Sequence, residues 1–194
     1  MTTKQLLISG FGGQGLLFTG KVLAYKWLTE GYNVSWLPSY GPEMRGGTAN
    51  CSVVVSEHII GSPLVADPNV LVVMNVPSLL KYEERVTKGG IIFIDSSMVD
   101  IKVKRTDVDV YYVPASQLAS DNGMTVLANM ILMGKVLQVF GETDRDVIRK
   151  GLEKCIPARK ADMLELNMKA IEIGLNYVGD EDPKEKVTTV FNEV

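Results

Sequence analysis

The stretch LLISGFGGQGLLFTGKVLAYKWL, residues 6–28, sets the strongest constraint on what this chain can fold into. A short apolar run meets four glycines in six residues, Gly10 to Gly15, and passes straight into a pattern with helical spacing. A strand that feeds a helix through such a turn must pack that helix on a sheet. It also aims backbone N–H groups and a helix N-terminus at whatever lies beyond the strand's end, the geometry that receives an anion. Glycine suits the turn because side chains would block close approach and because some positions require positive φ.

The rest of the chain extends the same scheme. Apolar or β-branched runs at 4–9, 32–37, 49–55, 69–75, 91–96 and 108–113 read as strands. Helical spacing covers 16–30, 78–86, 124–140, 145–155 and 159–178. Continuous apolar strands alternating with helices imply a sheet covered on both faces. The expected fold class is therefore α/β: a three-layer α/β/α domain over residues 1–178 with a mainly parallel, mixed sheet and a Rossmann-like strand–glycine loop–helix at its N-terminal end. The charged GDEDPKEK stretch opens an expected exposed extension, 179–194.

Composition narrows the function classes. With 194 residues, 46% hydrophobic and 22% charged, the chain is long enough to bury one core. A net charge of −3 without a basic run argues against nucleic acid as a partner. The most apolar stretch, 124–140, is interrupted by Asn129, Lys135 and Gln138 and falls short of the ~20 residues a bilayer needs. No membrane partner is expected, and without a tripartite leader pattern the expected location is the cytoplasm. The two cysteines, Cys51 and Cys155, are far apart and form no C-x-x-C pair. A zinc or iron–sulfur site held by this chain alone is not expected, and both thiols are expected reduced and buried.

Two specific ligand loops can be tested on the residues. The dinucleotide pattern G-x-G-x-x-G is met by Gly10, Gly12 and Gly15, yet NVSWLPS offers no acidic residue at the end of the second strand for a ribose hydroxyl. The phosphate-loop pattern G-x-x-x-x-G-K-[ST] runs through Gly15, Gly20 and Lys21 and fails at Val22, which has no hydroxyl for a magnesium ion. The plain alternative is a tight turn that binds nothing. Lys21 falls inside the apolar arc of its helix, where it either snorkels to the edge or meets a ligand or a neighbouring subunit.

A second loop, SYGPEMRGG (39–47), follows the second strand and leaves from the same sheet edge. Glu43 and Arg45 present opposite charges two residues apart. They read either as a surface ion pair or as a cleft wall, in which the forked guanidinium of Arg45 meets an anionic group. The candidate binding set is therefore Gly10, Gly12, Gly13, Gln14 and Gly15 on one side and Glu43 and Arg45 on the other. No residue is assigned a catalytic or metal-binding role; His58, the one histidine, sits in SEHIIGS and reads as an exposed turn.

Together GFGGQG and YGPEMRGG, with ADPNVLVVMN, GGIIFIDSS and NMILMGKVL, give the sequence a specific resemblance over residues 5–177. It resembles the gamma subunit, or domain III, of the 2-oxoacid:ferredoxin oxidoreductases, and SYGPEMRGG looks most like the 2-oxoglutarate type. The resemblance implies a complex that turns a 2-oxoacid and coenzyme A into acyl-CoA and CO2 while reducing ferredoxin. It implies thiamine diphosphate, magnesium and iron–sulfur clusters held by other subunits, and as partners the alpha, beta and ferredoxin-like delta subunits, ferredoxin and coenzyme A. This chain is then not active alone and shapes the coenzyme A cleft. The alternatives are a free-standing Rossmann-type nucleotide-binding oxidoreductase and a purely scaffolding subunit. The last helix supports a complex independently. Ala161, Leu164, Met168, Ile171, Leu175 and Val178 form one stripe, and Met163, Leu166, Ala170, Ile173 and Tyr177 a second on nearly the opposite side. The second stripe must meet either another internal layer or a partner.

Overall fold

The computed structural model describes residues 3–39, 48–179 and 182–183. Among the described residues six strands form one sheet: β1 (Lys4–Phe11), β2 (Asn33–Ser39), β3 (Thr48–Ser56), β4 (Val70–Val73), β5 (Ile91–Asp95) and β6 (Asp109–Val113). Their order is β2-β3-β1-β4-β5-β6. β1, β4, β5 and β6 are parallel neighbours, and β3 runs antiparallel to both β1 and β2. The sheet is thus mixed, with β2 pointing the same way as β1. β4 and β5 are buried at every residue, which is why they read as unbroken apolar runs. β2 lies at an edge, is half-buried through most of its length and carries Pro38, as an edge strand tolerates.

Side chains of β1 alternate between two cores. Leu6 and Ile8 join the larger one, with residues of α1 (Leu16–Thr29), α3 (Ala115–Asp121), α4 (Ala128–Phe140), α5 (Arg145–Glu153) and α6 (Ala161–Asn176). Leu7 joins the smaller one under α2 (Val76–Tyr82), with Leu71, Val73, Ile92 and Ile94. The three layers are therefore unequal, one face carrying most of the helices. Among the described residues no helix is long and apolar enough to cross a membrane.

Several elements differ from the sequence reading. The helix expected from 124 starts at Ala128, after a 3-10 turn at Thr125–Leu127. α3 was not expected; its seven residues carry a short Ala115–Ala119 stripe too brief to show a period. On α6 the two apolar stripes divide along the helix rather than across it. Met168, Ala170 and Ile171 are buried, whereas Met163 and Leu166 are 44% and 49% exposed. The reason is a backbone crossing: a Cβ on Gly174 would lie 1.9 Å from the Ile131 carbonyl oxygen, and one on Gly134 2.2 Å from that of Ile171. α4 and α6 touch through their glycines at the C-terminal half of α6 and leave its first turns outside. The tail also begins differently. The buried Lys135 ammonium donates to the Tyr177 carbonyl (3.0 Å) and pairs with Asp182, whose carboxylate also accepts from the Gly179 amide (3.1 Å). Residues 177–179 and 182 therefore return to α4 instead of leaving the domain.

A second buried ionic cluster ties the amino edge of the sheet together. Glu142, just past α4, accepts from Lys4 (3.0 Å), from Trp27 Nε1 (2.6 Å) and from Lys26, which also pairs with Glu30 (2.8 Å). Burial pushes the Glu142 carboxyl up, but the ammonium groups of Lys4 and Lys26 outweigh it and hold the group below its ordinary 4.5.

Candidate functional site

The chain reverses direction at the carboxyl end of β1. α1 leaves β1 on one face of the sheet, and α2 leaves the adjacent β4 on the other. In an open α/β sheet this is the switch point beyond which ligand crevices lie. The glycine loop borders it. Gly12 and Gly13 are exposed, and Gly13 has φ +94°. Gly15 caps α1 with φ +76° and contributes no side-chain hydrogen bond; the first turn of the helix holds no acid. The first intrahelical bond is that of Thr19 to the Gly15 carbonyl (3.0 Å). The amides of Leu16, Leu17 and Phe18 therefore stand at the positive end of the helix without a partner inside it.

Gln14 does different work from the glycines around it. Its Oε1 accepts from the Phe11 amide (2.6 Å) and its Nε2 donates to the Met74 carbonyl (3.0 Å). The side chain staples the turn to the end of β4. That staple explains Gly10, where a Cβ would lie 2.4 Å from Gln14 Oε1.

Two buried asparagines that the sequence reading did not select flank the switch point. Asn129, on the first turn of α4, donates from Nδ2 to the Gly15 carbonyl (3.2 Å) and to Thr19 Oγ1 (3.0 Å). A Cβ on Gly15 would meet that Nδ2 at 2.5 Å. Asn75 follows β4 and caps α2 by accepting from the Ser78 amide (2.8 Å). Asn75 Nδ2 and Asn129 Oδ1 are buried without a hydrogen-bond partner among the described residues. The Asn75-x-Pro77 cap signal could have identified the first. Asn129 carried only the signal of a lone amide in an apolar helix.

The Glu43 and Arg45 side of the expected cleft lies outside the described residues. Its two anchors do not. Ser39 pairs with Asn50, and Thr48 pairs with Phe11, so both ends of the 40–47 segment sit at the same sheet edge as the glycine loop. Lys21 points elsewhere, over the Tyr25 ring (5.9 Å), beside a groove lined by Ala24, Leu28, Val34 and Trp36. His58 is exposed just past Ser56, at the opposite edge of the sheet from the glycines.

Titration chemistry at the crevice is sparse. Burial pushes the Cys51 thiol up to about 12, and its Sγ donates to the Leu16 carbonyl (3.4 Å). Such a thiol packs and does not attack. The buried Asp95 carboxylate is fully occupied in joining β5 to α3: it accepts from Ser116 Oγ (2.6 Å) and from the amides of Ser97 and Ser116. Among the described residues no three His, Cys, Asp or Glu side chains gather as a metal-ligand set. Among the described residues the crevice offers the backbone donors of the α1 N-terminus, with the amide side chains of Gln14 and Asn129 behind them.

Comparison with known proteins gives this geometry a context. Residues 5–177 match the model of the pyruvate ferredoxin/flavodoxin oxidoreductase family. The ketoisovalerate oxidoreductase subunit VorA of Methanothermobacter marburgensis is 38% identical over 172 residues, 88% of this chain and 35% of the relative. This chain thus spans about a third of the length of that relative. The 2-oxoglutarate synthase subunit KorC of Methanothermobacter thermautotrophicus is 32% identical over 182 residues, 90% of this chain and 95% of the relative. The crystal structure of a keto/oxoacid ferredoxin oxidoreductase gamma subunit from Geobacter sulfurreducens superposes with a TM-score of 0.74 at 25% identity, covering 89% of this chain and 96% of that one. A 2-oxoglutarate:ferredoxin oxidoreductase from Magnetococcus marinus, solved with 2-oxoglutarate, coenzyme A and succinyl-CoA bound, shares the fold at a TM-score of 0.81 and 19% identity; the match covers 94% of this chain and 32% of that one. From a family model matched over nearly its whole described length, and from relatives of the same fold, this chain belongs to the pyruvate ferredoxin/flavodoxin oxidoreductase family.

Proposed function

We propose that this chain is the gamma subunit of a cytoplasmic 2-oxoacid:ferredoxin oxidoreductase, and that its glycine loop forms one wall of the cleft that holds coenzyme A. The observation that carries the reading is the N-terminus of α1, which has no side-chain cap and no acid in its first turn, at the switch point of the sheet. Its first amides, which have no acceptor inside the helix, receive a phosphate group of the thiol cofactor, with exposed Gly12 and Gly13 before them. Arg45 supplies the opposing charge from the second loop, with Glu43 beside it. Asn129 and Gln14 act behind the loop, fixing its path through the Gly15 carbonyl and the end of β4.

Thiamine diphosphate and iron–sulfur clusters, when bound by the partner subunits, supply decarboxylation and electron transfer. In this reading the chain's own part is to bind and orient coenzyme A. The proposed partners are the alpha, beta and ferredoxin-like delta subunits and ferredoxin. Relatives named for ketoisovalerate (38% identical) and for 2-oxoglutarate (32% identical) both match this chain, so the matches select neither oxoacid. Purification of the chain from its own cells tests the reading. Partner subunits carrying thiamine diphosphate and iron should accompany it, and the isolated chain should reduce no dye with any 2-oxoacid. A lone monomer from the native source, or activity of the pure chain, would reject it.

A further inference from the structure

We infer that the junction of α5 and α6 is a docking surface for an apolar protein segment flanked by acidic residues. Ile156, Pro157, Ala158, Ala161 and Leu164 line a groove of about 390 Å³, with Glu153 at its rim. This is the half of α6 that the glycine crossing with α4 leaves outside, and the exposed Met163 and Leu166 stand on the same first turns. The groove is therefore an apolar opening made by the fold itself.

Charge selects the occupant. Between residues 150 and 160 the chain carries Lys150, Lys154, Arg159 and Lys160 against the single acid Glu153, although the whole chain has a net charge of −3. All four cations are exposed. The neighbouring Arg149 is already paired with Glu165 (2.7 Å) and Arg145 with Glu172 (3.3 Å), bonds that brace α5 against α6. The four remaining cations form no ion pair with the described residues. Lys154 precedes the lining residues and Arg159–Lys160 interrupt them, so the positive charge is spread around an apolar floor. A second copy of this chain, acidic overall but presenting the same basic patch at the same place, would set like charges against each other in a two-fold contact. An acidic-flanked apolar segment of a different chain satisfies both the floor and the rim.

The inference takes from the proposed function only that the chain works bound to other chains. The test is lysine acetylation read by peptide mass spectrometry, on the isolated chain and on the complex purified from its own cells, with exposed Lys88 on the turn before β5 as reference. Lys150, Lys154 and Lys160 should be protected in the complex. Zero-length carbodiimide cross-links should join them to carboxylates of another chain, next to apolar residues. The K154E/K160E variant should weaken assembly about tenfold or more, the effect of losing close charge pairs, and the loss should shrink at high salt. Unchanged labelling in an intact complex would overturn this surface while leaving the complex standing, and so would cross-links between two copies of this chain. Recovery of the chain alone would overturn both.

Discussion

At Gly15 two independent demands meet on one residue. The backbone takes φ +76°, and a Cβ would press on Asn129 Nδ2 at 2.5 Å. Gly15→Ala should therefore cost about 1–3 kcal/mol, the strain of a side chain in the left-handed region, measurable by urea unfolding. An unchanged midpoint would mean that the loop is free to relax. On the proposed reading, Arg45→Ala should remove a charge-assisted contact of about 1.5–3 kcal/mol, which corresponds to a roughly tenfold or greater rise in the Michaelis constant for coenzyme A in the assembled complex. At this scale the sequence was readable in part. The glycines announced a close backbone approach, but Gln14 stood in the same motif and turned out to be a staple. Asn129, Lys135 and Gln138 read only as interruptions of an apolar stretch. In the fold, Asn129 holds the loop, and the other two hold the Tyr177 carbonyl. A polar group in an apolar helix reveals its purpose only when its partner, 39 or more residues away, is in place.

Among the elements, the helix pair α4–α6 and the Glu142 cluster carry the sharpest expectations. Gly174→Ala places a methyl against the Ile131 carbonyl, a backbone atom with no room to yield, and should destabilise the domain by more than about 3 kcal/mol. Thermal unfolding of the variant checks it, and a wild-type midpoint would contradict the backbone crossing. Glu142→Gln removes the carboxylate that buried Lys4 and Lys26 share, leaving Lys26 with Glu30, and should cost about 3 kcal/mol at neutral pH. Because the folded-state value of Glu142 is depressed, its contribution is present above the unfolded value of 4.5 and is lost as pH falls through the folded one. The gap between wild type and variant should accordingly narrow below pH 4.5. The strands were legible because β4 and β5 are buried on both faces and admit no polar alternation. The glycine crossing was not, since a glycine within a helix reads as a simple loss of propensity until the facing helix is known.

For the whole molecule, the proposed reading makes the N-terminus of α1, which no side chain caps, one wall of an active site shared with other subunits. Membership of the oxidoreductase family was legible from two loop motifs, and the mixed three-layer fold from the order of apolar runs. The pairing of surfaces was not, because an exposed apolar stripe identifies neither its partner nor its extent. The most direct test uses Gly12, which is exposed and outside the left-handed region, so that a bulky replacement meets no positive-φ penalty. Steady-state kinetics of the complex assembled with Gly12→Trp, varying coenzyme A at saturating 2-oxoacid, should give a Michaelis constant for coenzyme A raised about tenfold, the loss of one good contact to a charged group. An unchanged constant in a fully assembled complex would mean that the glycine loop serves as scaffold and that coenzyme A binds elsewhere.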